Sequence, residues 1–225
     1  MNIILQATQR LDQHLGNYIS KLKGFSTTNL WQAFPKSFTN EEKIFDDGYN
    51  DRILKYYGHL DVWSDYVRDN PRRLWLMREN PYFFTRTTVV TSDSRSYHIY
   101  GNRFLMNYPL RRQVAYHRAY TDTEWHAIRE ELLKAAKNGG VLVSPGVHPK
   151  ERELISEALK LGGKVIKIIP AAFGERQKPY GMDFIHCSEG RMLFVALEPP
   201  QPEPVKTYSR SLCLLMNEHA RLLTI

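Results

Sequence analysis

The chain has 225 residues, with 31 Lys and Arg against 24 Asp and Glu, a formal net charge of +7. Hydrophobic residues make up 42% and charged residues 24%, values of a folded protein that exclude wholesale disorder. No apolar run approaches the roughly 18–20 residues of a membrane-spanning helix, and two cysteines, Cys187 and Cys213, make neither a disulfide framework nor a zinc finger.

The start, Met1–Gln6, has neither the basic nor the long apolar region of a signal peptide. Reduced thiols and no leader are what a cytoplasmic chain shows. A first helix is expected over Gln9–Lys23, where Leu11, Leu15, Tyr18, Ile19 and Leu22 recur at helical spacing and Gly24 follows as a stop. Residues 26–41 read as a loop, and residues 49–54 as a strand or turn. A second helix spans His59–Asn70, stopped by Asn70-Pro71, because proline disfavours a helical residue before it. A third, short helix covers Arg72–Glu79.

After Thr85 the pattern changes to short β-rich runs at Val89–Thr91, His98–Met106 and Gln113–Tyr116. Thr121 with Glu124 three residues on is a capping box that opens a helix to Lys137. Next come a strand Val141–Val143, a loop Ser144–Pro149, a helix Lys150–Leu161, the pair Gly162-Gly163 and a strand Lys164–Ile169. Strand, helix, strand in this order is a βαβ unit and implies a parallel sheet. A further strand Met192–Leu197, a proline-rich connector over 199–204 and a helix Ser209–Leu223 complete the chain. The expected architecture is α/β: a small, mainly helical piece over 1–88, then an open, mostly parallel sheet domain over 89–225.

Three places invite chemistry. Residues 94–121 hold Arg95, Arg103, Arg111, Arg112 and Arg118 with no acidic residue, interleaved with Tyr97, Tyr100, Phe104, Tyr108, Tyr116 and Tyr120. Guanidinium groups for phosphates and flat rings for bases are what nucleic-acid surfaces use. An arginine-rich strand pair whose tyrosines are core fits the same pattern. On the second helix, Tyr66 and Asn70 are four apart and share a face. A tyrosine hydroxyl is a nucleophile once activated, and an amide oxygen one turn away is a candidate metal ligand; packing plus a helix cap is the other reading. The loop after Val143 places Ser144, Gly146 and His148 at a helix N-terminus at the carboxyl end of a parallel strand, where amides and the helix dipole favour an anion. Neither a dinucleotide fingerprint nor a Walker A loop is present, and an ordinary strand-to-helix loop fits as well.

Two resemblances sharpen these readings. Asp65-Tyr66-Val67-Arg68-Asp69-Asn70-Pro71 resembles the "Y-I-x-x-N-P" signature of single-tyrosine HUH transposases, the insertion-sequence-200-like and REP-associated tyrosine transposases. Upstream, residues 45–53 are similar to their "W-x-x-x-Y-x-D-R-I" strand, and Leu11–Lys23 to their first helix. The resemblance covers roughly 1–83. It implies Tyr66 as the nucleophile that joins DNA, Asn70 in the place of the third metal ligand, and Lys21, Lys23, Arg72 and Arg73 along the DNA-facing side. The His-hydrophobic-His pair of that family is absent: Met1–Gln6 stands in its place. The resemblance therefore implies a transposase-related DNA-binding chain without metal-dependent nicking, with Mg or Mn as cofactor only if a His-x-His strand is restored.

In the second half, residues 138–146, 158–166 and 188–193 are similar to the Rossmann-like core of the DNA-processing protein A / lysine-decarboxylase-like (LOG) superfamily. The phosphate loop of that superfamily is replaced here by Val147-His148-Pro149-Lys150-Glu151. The resemblance implies the fold and binding of single-stranded DNA or a nucleotide. Taken together, the readings give the partners expected of the whole chain: DNA, single-stranded or hairpin, through Lys21, Lys23, Arg72, Arg73, Arg103, Arg111 and Arg112; a nucleotide or phosphate ligand; no membrane; and a homodimer as a candidate assembly. The alternative reading is a nucleotide- or phosphate-binding module carrying an N-terminal interaction platform.

Overall fold

A computed structural model describes residues 10–35, 44–45, 56, 58–91, 94–174, 177–197 and 208–224. Two compact units divide the chain, 1–73 and 74–225. Among the described residues, no helix is long and apolar enough to cross a membrane.

The first unit contributes α1 (Leu15–Ala33) and the larger part of α2 (His59–Glu79). Both depart from the expected bounds. Gly24 does not stop α1, which runs on through the Ser, Thr and Asn residues expected to be loop. Gly24 keeps helical backbone, and the Thr28 hydroxyl donates back to its carbonyl at 3.1 Å within the same helix. His14 caps the start, its Nδ1 accepting from the Gly16 amide. Pro71 does not stop α2 either; it lies inside one continuous helix. Helix-favouring Leu74, Leu76, Met77 and Arg78 carry it past the lost hydrogen bond, and Leu76 and Met77 pack on the core of the second unit. Neither α1 nor α2 contains a fully buried residue. The strand or turn expected at 49–54 lies outside the described residues.

The second unit is an α/β domain with one six-stranded, mostly parallel, Rossmann-like sheet. Its strands are β1 (Thr85–Val90), β2 (Ser96–Gly101), β3 (Arg111–Gln113), β4 (Val141–Ser144), β5 (Lys164–Ile169) and β6 (Met192–Ala196), in the spatial order β1-β2-β6-β5-β4-β3. The four strands β3 to β6 are parallel, as the βαβ pattern predicts; β1 and β2 form a hairpin that joins antiparallel to β6. Residues 74–88, read from the sequence with the N-terminal piece, lie in this unit: Phe84 is buried, and β1 begins at Thr85.

Side-chain alternation splits the core into two layers. Leu142, Val165, Met192 and Phe194 face α3 (Asp122–Lys137), α4 (Pro149–Lys160) and α5 (Gly181–Ser188), which bury Leu133, Leu154, Ala158 and Phe184 against them. Val141, Val143, Ile166, Ile168 and Val195 face the other way, toward α6 (Arg210–Leu222) and the 3-10 helix Arg103–Asn107, through Met216, Ala220 and Leu105. All three crossover helices thus share one face. The capping box of Thr121 and Glu124 forms as expected. The short helix α5 has no counterpart in the sequence reading. It has only eight residues and follows Lys178-Pro179-Tyr180, so its periodicity is too brief to stand out.

Where β2 meets β6, Gly101 has φ +123° and a Cβ there would lie 2.6 Å from the Met192 carbonyl oxygen. Next to it, Asn102 donates from Nδ2 to the Gly190 carbonyl at 2.6 Å, from its own amide to Met192 at 3.0 Å, and accepts from the Phe104 amide. We expect Gly101→Ala to destabilise the domain by about 3 kcal/mol, summing an unfavourable φ and a backbone clash; denaturant unfolding measures it.

On the α6 side, His219 Nδ1 and the buried Tyr97 hydroxyl are 3.0 Å apart. Burial, then the nearby Arg95 charge, holds this imidazole below its ordinary pKa of 6.5, with Glu218 opposing. Burial and then Arg191 do the same to His186. The unfolded chain therefore takes up protons that the folded one refuses. The contribution of both groups is intact above pH 6.5 and falls away as the pH drops below it. Melting temperature should decline between pH 7 and pH 5, roughly spanning the histidine range, and His219→Gln should flatten that decline.

Candidate functional site

The sequence-derived residues separate into three neighbourhoods. On α2, Tyr66 and Asn70 do share one helical face. Tyr66 is 39% exposed; Trp63 meets it edge-on with ring centroids 5.4 Å apart, and the Arg73 guanidinium lies 5.5 Å from its ring. The Asn70 amide nitrogen is buried and has no hydrogen-bond partner among the described residues. Arg72 is held by Asp69 through two hydrogen bonds, which keeps the Asp69 carboxyl below its usual range. Lys21 and Lys23 lie on α1, two residues apart and therefore not on one face.

The acid-free stretch 94–121 does not form one surface. Tyr97 and Tyr100 are buried, on opposite faces of β2, and Tyr116 packs on the core. Arg111 and Arg112 sit on the edge strand β3. Arg112 is paired with Glu131 of α3, on the face of the crossover helices, while the neighbouring Gln113 donates to the Asn217 carbonyl of α6 on the other. Arg103 is different. Its guanidinium lies 5.4 Å from the ring of Phe104, which is 45% exposed, and that ring is 6.3 Å from the ring of Tyr82, which is 62% exposed. Leu105, buried below, and the Asn102 cap fix the 3-10 turn that presents them. The sequence reading missed Tyr82, because it lies outside the arginine-rich stretch and comes to Phe104 only through the sheet.

The loop Ser144–Pro149 spends its polar groups on itself. Ser144 is fully buried and its hydroxyl accepts from the Gly146 amide at 3.0 Å; Gly146 has φ +62°, a left-handed turn that favours glycine. His148 caps α4 by accepting from the Lys150 amide. The buried Glu151 carboxylate accepts from the His148 amide at 3.2 Å and the Tyr116 amide at 2.8 Å. Arg152 donates to the Gly146 and Val147 carbonyls. Tyr116 stacks on His148 with centroids 4.2 Å apart, and Lys150 lies over the same tyrosine while reaching Asp122.

A crevice that the sequence did not announce lies at the same, carboxyl end of the parallel strands. Its floor is Ile169 and Ala196, the last residues of β5 and β6, and its volume is about 170 Å³. Tyr100, Phe173 and Phe194 form the walls: Phe173 packs 5.2 Å from both other rings. At the mouth, Thr88 Oγ1 and His98 Nδ1 are 3.0 Å apart. Arg86 lies 4.9 Å over the Tyr100 ring and donates to the carbonyls of Gly174 and Gln177, strapping down the loop that carries Phe173. After β5 the chain enters α5 on one face; α6, which follows β6, packs on the opposite face.

Comparison with known proteins adds little to this. No family model matches the chain, and no curated protein matches it. Among solved structures, the chain is similar to DNA processing protein A from Streptococcus pneumoniae, with 17% identity and a TM-score of 0.37, over 64% of this chain and 62% of that one. The match thus spans less than two thirds of that structure's length.

Proposed function

We propose that the chain binds single-stranded or hairpin DNA through its α/β unit. The observation that carries the reading is the exposed pair Tyr82 and Phe104 with the Arg103 guanidinium beside it. Two neighbouring exposed rings beside a guanidinium suit a strand whose bases stack and whose phosphates need a positive charge, since every base offers a π-face. The charge supports it: residues 74–225 hold 21 Lys and Arg against 15 Asp and Glu, a net +6 of the chain's +7. Counterion release from such a body favours phosphate backbones. Arg111 lies on β3, at the other edge of the sheet of the same unit.

The reading is one of binding and not of strand transfer. Tyr66 is exposed, but Met1–Gln6, in the place where the transposase resemblance requires a His-hydrophobic-His pair, holds no histidine. Lys21, Lys23, Arg72 and Arg73 belong to the first unit and are a secondary DNA contact in this reading.

A gel-shift series on an oligodeoxythymidylate and a hairpin tests it. Phe104→Ala should weaken binding by about tenfold, the equivalent of one lost base stack. Arg103→Ala should weaken it too and make the salt slope shallower by about 0.7, one phosphate contact on a single strand. Binding that neither change affects would overturn the proposal.

A further inference from the structure

We infer that the bound DNA is a single strand laid across the amino ends of the parallel strands, with Lys164 as a phosphate contact beyond Arg103 and with Lys137 and Lys160 along its rim. The inference rests on the DNA reading above and gives that reading a path.

The backbone lays out the path. At the start of β6, Asn102 donates from its amide to the Met192 carbonyl and from Nδ2 to the Gly190 carbonyl. At the start of β5, the Lys164 Nζ lies 5.2 Å from the ring of Tyr108. At the start of β4, the Val141 amide donates to the Leu110 carbonyl at 2.9 Å. The next residue, Arg111, opens β3. Residues 102–111 are therefore a belt that passes the amino ends of β6, β5 and β4 in that order. Arg103 and Phe104 stand where the belt begins. Lys164 shares with Ile166 and Ile168 the face of β5 on which the 3-10 helix of the belt packs. From β2 to β3 the sheet order makes four strand spacings, about 19 Å, which at roughly 3.4 Å per stacked nucleotide is about six nucleotides.

Charge favours the same end. Each crossover helix leaves the carboxyl end of one strand and returns to the amino end of the next. The helix dipole favours acids in a first turn and bases in a last turn. Asp122, Glu124, Glu151 and Asp183 accordingly open α3, α4 and α5 at the carboxyl end, while Lys134, Lys137 and Lys160 close α3 and α4 at the amino end. Three cations at the carboxyl end are already engaged: Lys150 with Asp122, Lys167 with Asp183, and Arg152 with the Gly146 and Val147 carbonyls. At the amino end, Arg103, Lys137, Lys160 and Lys164 pair with no carboxylate among the described residues. Arg191 donates to the Leu159 and Gly163 carbonyls, which offsets the partial negative charge where α4 ends. A polyanion therefore meets unspent cations at this end, next to the exposed rings of Tyr82 and Phe104.

The full chain is titrated with fluorescent oligodeoxythymidylates, a trimer and a hexamer, over a salt series and read by anisotropy. The trimer covers half the path and should bind more weakly than the hexamer by roughly tenfold or more. Lys164→Gln should weaken hexamer binding and make the salt slope shallower by about 0.7, one phosphate contact on a single strand. The joint change Lys137→Gln and Lys160→Gln, on exposed last turns, should do so as well and replaces Lys164→Gln if that variant impairs folding. Arg118→Gln removes an equal, exposed charge from the connection between β3 and α3 at the carboxyl end, and should change neither affinity nor slope. Hexamer binding that Phe104→Ala weakens while the lysine changes leave its slope intact overturns the path and leaves the Tyr82–Phe104 surface standing. So does an effect of Arg118→Gln as large as that of Lys164→Gln, or equal binding of trimer and hexamer. Binding that the lysine changes weaken and Phe104→Ala does not supports the amino-end path and removes Phe104 from it. No binding of the hexamer overturns both readings.

Discussion

The antiparallel junction between β2 and β6 is the constraint on which the rest of the second unit depends. A parallel run β3-β4-β5-β6 ends at β6 with an open edge, and a hairpin closes it by pairing against that edge. The junction works only because Gly101 brings its backbone against Met192 with no Cβ between them. Asn102 then ties the end of the hairpin to the start of β6 by two hydrogen bonds and caps the following turn with a third. Two consequences follow from one contact. The turn after Asn102 is set rigidly and presents Arg103 and Phe104 outward. At the opposite end, the hairpin widens the sheet beyond the reach of α5, and the uncovered strip of β1, β2 and β6 becomes the crevice.

Much of this fold was legible in the sequence. The βαβ unit, the capping box at Thr121 and the glycine pairs after α3 and α4 are local signals, and tertiary context agreed with each. Gly24 and Pro71 misled, because both are helix breakers by intrinsic preference only. The packing of Leu76 and Met77 offsets a local cost of about 3 kcal/mol for proline, and one glycine costs only about 1 kcal/mol in a helix as long as Leu15–Ala33. The candidate sites were less legible. Arginine and tyrosine interleave over 94–121 without a period of two, and Tyr97 and Tyr100, an odd three residues apart, point to opposite faces of β2. Tyr97 and Tyr100 went to the two cores, and only Phe104, in a turn, stayed outside. The crevice draws Arg86, His98, Phe173 and Phe194 from segments far apart in the chain, and no spacing rule collects them.

The loop Ser144–Pro149 shows why helix position alone is not a binding site. A helix N-terminus favours an anion when its amides lack partners. Here the protein supplies the anion: the Glu151 carboxylate is buried and accepts from the His148 and Tyr116 amides, while Ser144 and His148 accept from the Gly146 and Lys150 amides. A phosphate entering this loop would have to displace a buried carboxylate and leave it unpaired. Hydrogen bonds to a charged group are worth about 1.5–3 kcal/mol each, and stranding the carboxylate adds its desolvation cost.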